Sequence, residues 1–585
     1  MRVYLPGPRG GVLIEDTGYF LEILPHVKFA GVFDVHSYPP GSPNKPDLNL
    51  RMMPIDIVGC LGVVRVQRLT YLIVATLPVT SIGMEDVDVE VVRDCLFVCL
   101  DGPMHPPDVR DHAHPCYDLH QILTDGSIMY SKMQDLSSHL LSRIRVQQQR
   151  DAACFPTPRT DDAGATTAAH RLSEGTFEFV WNDYILAPLL QLRDTLDEKH
   201  KAEFNARSFI LRVVQGFFGA AEVELPSGKV MLSVTSRREW GRAGTRFEKR
   251  GIDKYGYVAN FAETETILRT ADKIISFVQV RGSVPEKDHW TGHLKLSIAQ
   301  PVQVVSLRPF MLHMHDLVRM YSAVHAFSLL SNAKDASLAA EGDLNDCYEA
   351  LCTLGQRQDD ILAKASTFER FDVSKRIMLS SGVAGMPKAI GKDVEPVLDR
   401  FGATVADIDS ETGKYELQSE QQGVFRVNCR DCLDRSNLGE YSISAAALNK
   451  ELSALGLPTL EQSDELNRVH RKLFSAFIRD GVVTPNQTIE NLEAGRERHM
   501  QAALHDRQKN RATEVLTGQY ENEEPTPVFN WVRPTTLTLD TISSWLPQAP
   551  AGLLGALPVV HAEAPTTPAL TPTDSDSFSL PAHSP

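Results

Sequence analysis

Apolar side chains in the first 150 residues fall in short β-branched runs. Ile57–Val66, Tyr71–Val79 and Val87–Leu100 are the clearest, and turn clusters such as Tyr38-Pro39-Pro40-Gly41-Ser42-Pro43 punctuate the region. This pattern predicts a mainly β N-terminal domain. Phe155–Gly175 is polar, rich in Ala and Thr, and aperiodic, which predicts a mobile linker. From Phe177 onward the period switches back and forth. Strands are expected at 230–234, 274–280 and 423–427, and helices at 311–330, 343–354, 438–455, 466–479 and 489–511. In 438–455 the apolar positions are Ile443, Ala446, Ala447, Leu448, Leu452 and Leu455. The alternation predicts an α/β catalytic domain, α+β for the chain as a whole. Past Tyr520 the pattern fades, and from Leu546 Pro, Ala, Thr and Ser dominate, as in disordered chains. The expected organisation is a β domain with its linker at 1–175, an α/β domain at 176–520 and a disordered tail at 521–585.

Composition narrows the function classes. The 585 residues carry a net charge of −16, which argues against general nucleic-acid binding and against wholesale adsorption to anionic membranes. No apolar run reaches the length of a membrane span, and the N-terminus lacks a signal-peptide pattern. Nine scattered cysteines suit a reducing compartment. The expectation is a cytoplasmic protein, peripheral to membranes, with neither signal peptide nor transmembrane segment.

One short stretch carries chemistry: Asn428-Cys429-Arg430-Asp431-Cys432-Leu433-Asp434-Arg435-Ser436-Asn437. A buried strand precedes it and a helix follows. Strand, tight loop and helix N-terminus together aim backbone N–H groups at an anion. Such surroundings lower a cysteine's pKa, so Cys429 would be a thiolate nucleophile. Arg435 offers a planar fork that grips two phosphate oxygens. Attack on phosphorus gives a phosphocysteine, which water hydrolyses, without metal or cofactor. Asp431 or Asp434 would protonate the leaving oxygen. Cys429 and Cys432 also form a Cys-x-x-Cys. No second ligand pair supports zinc there, and a redox centre leaves Arg435 unexplained; Cys432 can trap oxidised Cys429 as a disulfide.

These ten residues, preceded by Gln422-Gly423-Val424-Phe425-Arg426, closely resemble the signature of the Sac-domain phosphoinositide phosphatases. Residues 236–267 resemble a second block of that family, with Gly244-Thr245-Arg246, Arg250-Gly251-Ile252-Asp253 and Asn260-Phe261-Ala262-Glu263-Thr264-Glu265. Seven basic residues against three acidic ones lie within 237–254, a locally basic run in an acidic chain. Ile57–Val64, Tyr71–Val74, Tyr130-Ser131, Asp135-Leu136-Ser137, Phe179–Asn182, Arg281–Pro285 and Phe368–Asp372 are similar to further family segments. Three features depart from the pattern. Arg430 stands where relatives usually carry an apolar residue, Glu286–His289 intervene before Trp290, and Thr517-Gly518-Gln519-Tyr520 is at best a remnant of a Tyr-x-Gly-Thr segment.

The resemblance implies hydrolysis of inositol-ring phosphate monoesters on a membrane lipid. Phosphatidylinositol 4-phosphate is the first expectation, with the 3-phosphate and 3,5-bisphosphate as further candidates. It implies that Ser436 aids phosphocysteine breakdown. Asn428, Arg430, Arg237, Arg238, Arg246 and Arg250 would contact the headgroup. The alternative is a Sac-fold scaffold that binds phosphoinositide or a protein partner without turnover. A partner could also engage the tail. A third reading, a protein-tyrosine phosphatase, fits the second block less well. Elsewhere, His313 and His315 are two apart on an expected helix and do not share a face. His112, His114 and Cys116 lie among prolines and are expected to be exposed loop residues. Asp372 would join the site only if the fold brings it there.

Overall fold

The computed structural model describes residues 1–5, 11–42, 54–76, 80–81, 88–101, 108–152, 179–245, 248–286, 305–331, 339–373, 375–376, 386–428, 434–477, 507–519 and 527–532. All of them lie in one compact unit, Met1–Arg533. The expected linker at 155–175 and the tail from 533 onward lie outside the described residues.

Two sheets organise the chain. The first has eight strands in the order 528–531, 32–38, 19–25, 12–16, 2–4, 55–66, 69–76 and 95–99. Its long apolar runs reflect burial on both faces. Along Tyr71–Ala75, Leu72 and Val74 pack toward Leu186, Leu189 and Leu192. Tyr71, Ile73 and Ala75 pack on the other side with Leu119, Ile122 and Trp181. The edge strand Val528–Trp531 pairs in parallel with Val32–Tyr38, so the region read as tail supplies a strand to the N-terminal sheet.

The second sheet has twelve strands. Strands 324–328, 424–428 and 273–281 run parallel at its centre, with 366–370 outside them. Strands 262–269, 228–238 and 214–225 continue it antiparallel. Helices Leu307–Tyr321 and Ala339–Gln358 cover one face and Met386–Phe401 and Asp434–Ala454 the other. Strand Val424–Asn428 is buried throughout: Val424 joins the first pair of helices, Phe425 and Val427 the second. The mixed α/β class expected from the sequence is the class observed.

Three local readings change. The apolar stretch 311–330 is helix Leu307–Tyr321 followed by strand Val324–Ser328. Ser322 adopts φ 71° and ψ −45° with Ala323 N donating to Tyr321 O at 2.9 Å, a γ-turn that ends the helix, and the β-branched and aromatic residues beyond it complete the parallel sheet. The run 87–100 divides between the sheets, Glu90–Val91 joining the second and Cys95–Cys99 the first. His114 and Cys116 are buried rather than exposed; the Cys116 amide donates to His114 Nδ1 at 2.9 Å. Proline content marked the loop correctly and missed that it turns inward.

Candidate active site

Parallel strands end together, and ligands bind α/β sheets at their carboxyl ends. Here that edge carries Arg281, Ser328, Arg370 and Asn428, with Ser328 opposite Asn428 and Arg281 opposite Val427. Backbone bonds continue past the strand ends: Leu329 N to Asn428 O at 2.9 Å and Phe371 N to Ser328 O at 2.8 Å. Strand 228–238 ends at the same edge and strand 262–269 begins there. The described part of the excursion between them, 239–245 and 248–261, lies against the chain that leaves strand 273–281 at this edge: Ser283 N donates to Ala259 O and Ile252 N to Glu286 O, both at 3.0 Å. The two motif blocks, nearly 200 residues apart in sequence, meet here. Asp372 follows strand 366–370 at this edge, and its Oδ1 accepts from Lys375 N at 3.0 Å.

Cys429, Arg430, Asp431 and Cys432 lie outside the described residues, as does Arg246. Asp434 opens the helix Asp434–Ala454, whose positive end thus follows directly on the loop. Gly439 lets this helix lie close to its own strand: a Cβ there would stand 2.6 Å from Leu329 Cδ1 and 3.0 Å from Val427 Cγ1.

Arg435 is held by helix Ala339–Gln358. Its Nη1 and Nη2 donate to the two carboxylate oxygens of Glu341 at 2.8 and 2.7 Å, and Nη1 reaches Leu329 O at 3.4 Å. Ser436 is fully buried beside it. Asn428 is also fully buried, and its Nδ2 donates to Ser328 Oγ at 3.3 Å, which donates to Asn345 Oδ1 at 2.8 Å. Among the described residues Asn428 Oδ1 has no hydrogen-bond partner.

Successive strand residues point to opposite faces, and this separates Arg237 from Arg238. Arg238 stands in one cross-strand row with Ala262, Arg281 and Val427, on the face covered by helix Asp434–Ala454. Burial and then the Arg281 charge push its pKa down to about 10, and Nη2 donates to Asn260 Oδ1 at 2.7 Å. Arg281 in turn donates to Asn437 Oδ1 at 2.7 Å and lies 3.6 Å from the Glu440 carboxylate. Arg237 faces the other way and is wholly buried, pairing with Glu263 at 3.1 Å and with Glu265. Burial alone would raise the Glu265 carboxyl; Arg237, Arg143 and His139 outweigh it and hold it at about 2. Arg250 presents its carbonyl to Arg242, whose Nη2 donates at 2.7 Å.

The remaining histidines have separate partners. His313 accepts from Arg426 Nε at 3.0 Å, and burial with the Arg426 charge pushes its pKa well down. His315 lies 3.1 Å from Asp359. The C-terminal segment 507–519 packs on the basic excursion through Lys249, which bonds Glu514 at 2.8 Å and Gln519 at 2.9 Å. Other family-like segments are structural staples. Buried Asn182 donates to Leu61 O and Leu211 O and accepts from Val213 N, all within 3.0 Å. Sequence reading missed Glu341 and Glu440 at this edge. Arg281 and Asn437 were visible inside motifs without a role, and nothing in the local pattern marked Glu341.

The class defined by this fold and edge is an α/β protein in which a buried parallel strand ends just before Cys429 and a helix carrying Arg435 begins at Asp434. The sequence profile described as the SacI homology domain matches residues 58–378, over half of the chain. The chain belongs to the SacI homology domain family. The matched span contains the Arg-rich block and stops before the Cys429 loop. A polyphosphatidylinositol phosphatase of Saccharomyces cerevisiae is 32% identical over 341 residues, covering 57% of this chain and 27% of the relative. A phosphatidylinositol-3-phosphatase of Drosophila melanogaster is 28% identical over 425 residues, covering 70% and 62%. Synaptojanin-2 of Rattus norvegicus is 25% identical over 433 residues, covering 72% and 25%. The chain therefore spans from about a quarter to under two thirds of these relatives' length. Among the described residues no helix is long and apolar enough to cross a membrane.

Proposed function

We propose that this chain is a phosphoinositide phosphatase that removes a ring phosphate through a phosphocysteine intermediate. The observation that carries the reading is the convergence of the two motif blocks on one carboxyl edge of the sheet. Cys429 attacks phosphorus, and the leaving oxygen takes a proton from Asp431 or Asp434. Arg435, at the start of the helix, grips the phosphate and the charge that spreads over its oxygens. Ser436 aids attack of water on the phosphocysteine. Asn428, Arg430, Arg238, Arg246 and Arg250 meet the rest of the headgroup. Arg237 is left out, because Glu263 and Glu265 already balance its charge. The protein works peripherally at a membrane, on phosphatidylinositol 4-phosphate first, with 3-phosphate and 3,5-bisphosphate lipids next. The Sac unit runs through strand Val528–Trp531, and the tail beyond it is where a protein partner would bind.

The test is phosphate release from vesicles holding each phosphoinositide, with Cys429→Ser alongside. Release from one or two lipids is expected from wild type, and none from the variant. Vesicle binding without release by wild type would instead support the scaffold reading.

A further inference from the structure

We infer that Glu341 is the positioning residue for the Arg435 fork, a role that rests on the proposed reading of the site. Arginine has five N–H donors in one rigid plane. Three of their directions are set here: two toward the Glu341 carboxylate and one toward Leu329 O. A guanidinium gripped end-on through Nη1 and Nη2 cannot rotate about its own axis. With that end held by Glu341, the plane of the guanidinium is fixed relative to the start of the helix.

Glu341 is itself immobilised. It is 5% exposed, sits in the first turn of helix Ala339–Gln358 where the helix dipole favours a carboxylate, and accepts from Ser331 N at 3.2 Å. Ser331 lies just beyond strand Val324–Ser328, the parallel neighbour of the strand that leads to Cys429. The chain of contacts from Ser331 through Glu341 to Arg435 therefore references the fork to the strand beside the nucleophile. An arginine left unbraced at a helix start would sample many rotamers, and each misaligned one loses contact with the phosphate.

The experiment uses the full chain and tungstate, a tetrahedral oxyanion, titrated calorimetrically. Glu341→Gln keeps the size but turns an NH2 donor toward the guanidinium. Tungstate affinity is expected to fall about 10- to 100-fold, the scale of loss for a misplacement near 1 Å, with an unchanged melting curve. Glu341→Asp, which keeps the charge on a shorter arm, should lose less and covers the case where the Gln variant fails to fold. In an Arg435→Lys background, which has no fork to aim, Glu341→Gln should cost less than about twofold more. Unchanged or tighter tungstate binding in Glu341→Gln, an equal loss in both backgrounds, or no binding by wild type would each overturn the role. Because binding is read without turnover, a chain that behaves as expected here yet releases no phosphate from any vesicle refutes the phosphatase reading alone.

Discussion

The two sheets are held together by opposite means. The long strands 55–66 and 69–76 of the eight-stranded sheet are apolar on both faces, with Val3, Ile14, Leu21, Phe33 and Leu72 in one core and Ile73 in the other. The twelve-stranded sheet buries charge. Arg237, Glu263, Glu265, Arg426 and Glu440 are all essentially inaccessible, and most lie toward the carboxyl edge where strand Val424–Asn428 ends. Even the docking of helix Asp434–Ala454 is partly polar: Gln279 donates to Glu440 O at 2.8 Å, and Thr266 meets Ser444 at 2.9 Å. Apolar packing tolerates small sliding. Hydrogen-bonded charges have one arrangement, and a buried ion pair is weak evidence of net stability. The contrast teaches that the second sheet places its polar groups in register at some cost in stability, whereas the first supplies a core.

The largest effect should come from opening the buried ion-pair cluster. Arg237→Met takes the guanidinium away from two buried carboxylates, leaving Glu263 with His139 and Tyr321 and Glu265 with Ser276 and the Leu140 amide, and should cost about 3–5 kcal/mol in urea unfolding. Changing Glu263 and Glu265 to Gln in the same chain should recover at least half of that loss. If the triple variant is worse than the single one, the cluster is a net source of stability and the contrast fails.

Leu72→Ala probes the apolar sheet. It should cost about 2–5 kcal/mol through the cavity it leaves, with phosphate release per folded molecule unchanged. A selective loss of activity in that variant would couple the first sheet to the site.

Glu440→Gln gives the smallest effect and one that depends on pH. Burial pushes the Glu440 carboxyl up to about 7, against the pull of Arg281 and Thr264. The folded state thus holds its proton more tightly than the unfolded state. Wild-type stability should fall as pH rises from the ordinary value of 4.5 through 7, then level off. The glutamine variant has no proton to lose. It should match wild type at pH 4.5 or below and exceed it at pH 8 by on the order of 3 kcal/mol at most. A constant difference across that range would show that Glu440 stays charged.

Much of this fold was legible in the sequence because its elements obey local periods. The strands around Val230 and Ile275 and the helix after Arg435 followed from alternation and from apolar spacing. The stretch 311–330 did not, because helix Leu307–Tyr321 and strand Val324–Ser328 are both apolar and only a turn at Ser322 separates them. Arg237 and Arg238 were read as one basic patch. A one-residue step along a pleated strand sends them to opposite faces, and no composition count sees that.

By itself the sequence determined the alternating architecture, the strand that ends before Cys429 and the helix that carries Arg435, and the family to which the chain belongs. These rest on neighbours in the chain. Only the tertiary structure decided that the described part of the 239–261 excursion lies against the chain that leaves strand 273–281. It likewise decided that Arg237 is balanced by Glu263 and Glu265, and that Glu341, 94 residues before Arg435, holds its guanidinium. Such partners are chosen by sheet order and pleat direction, which are properties of pairing between distant strands and leave no mark in the local pattern of either one.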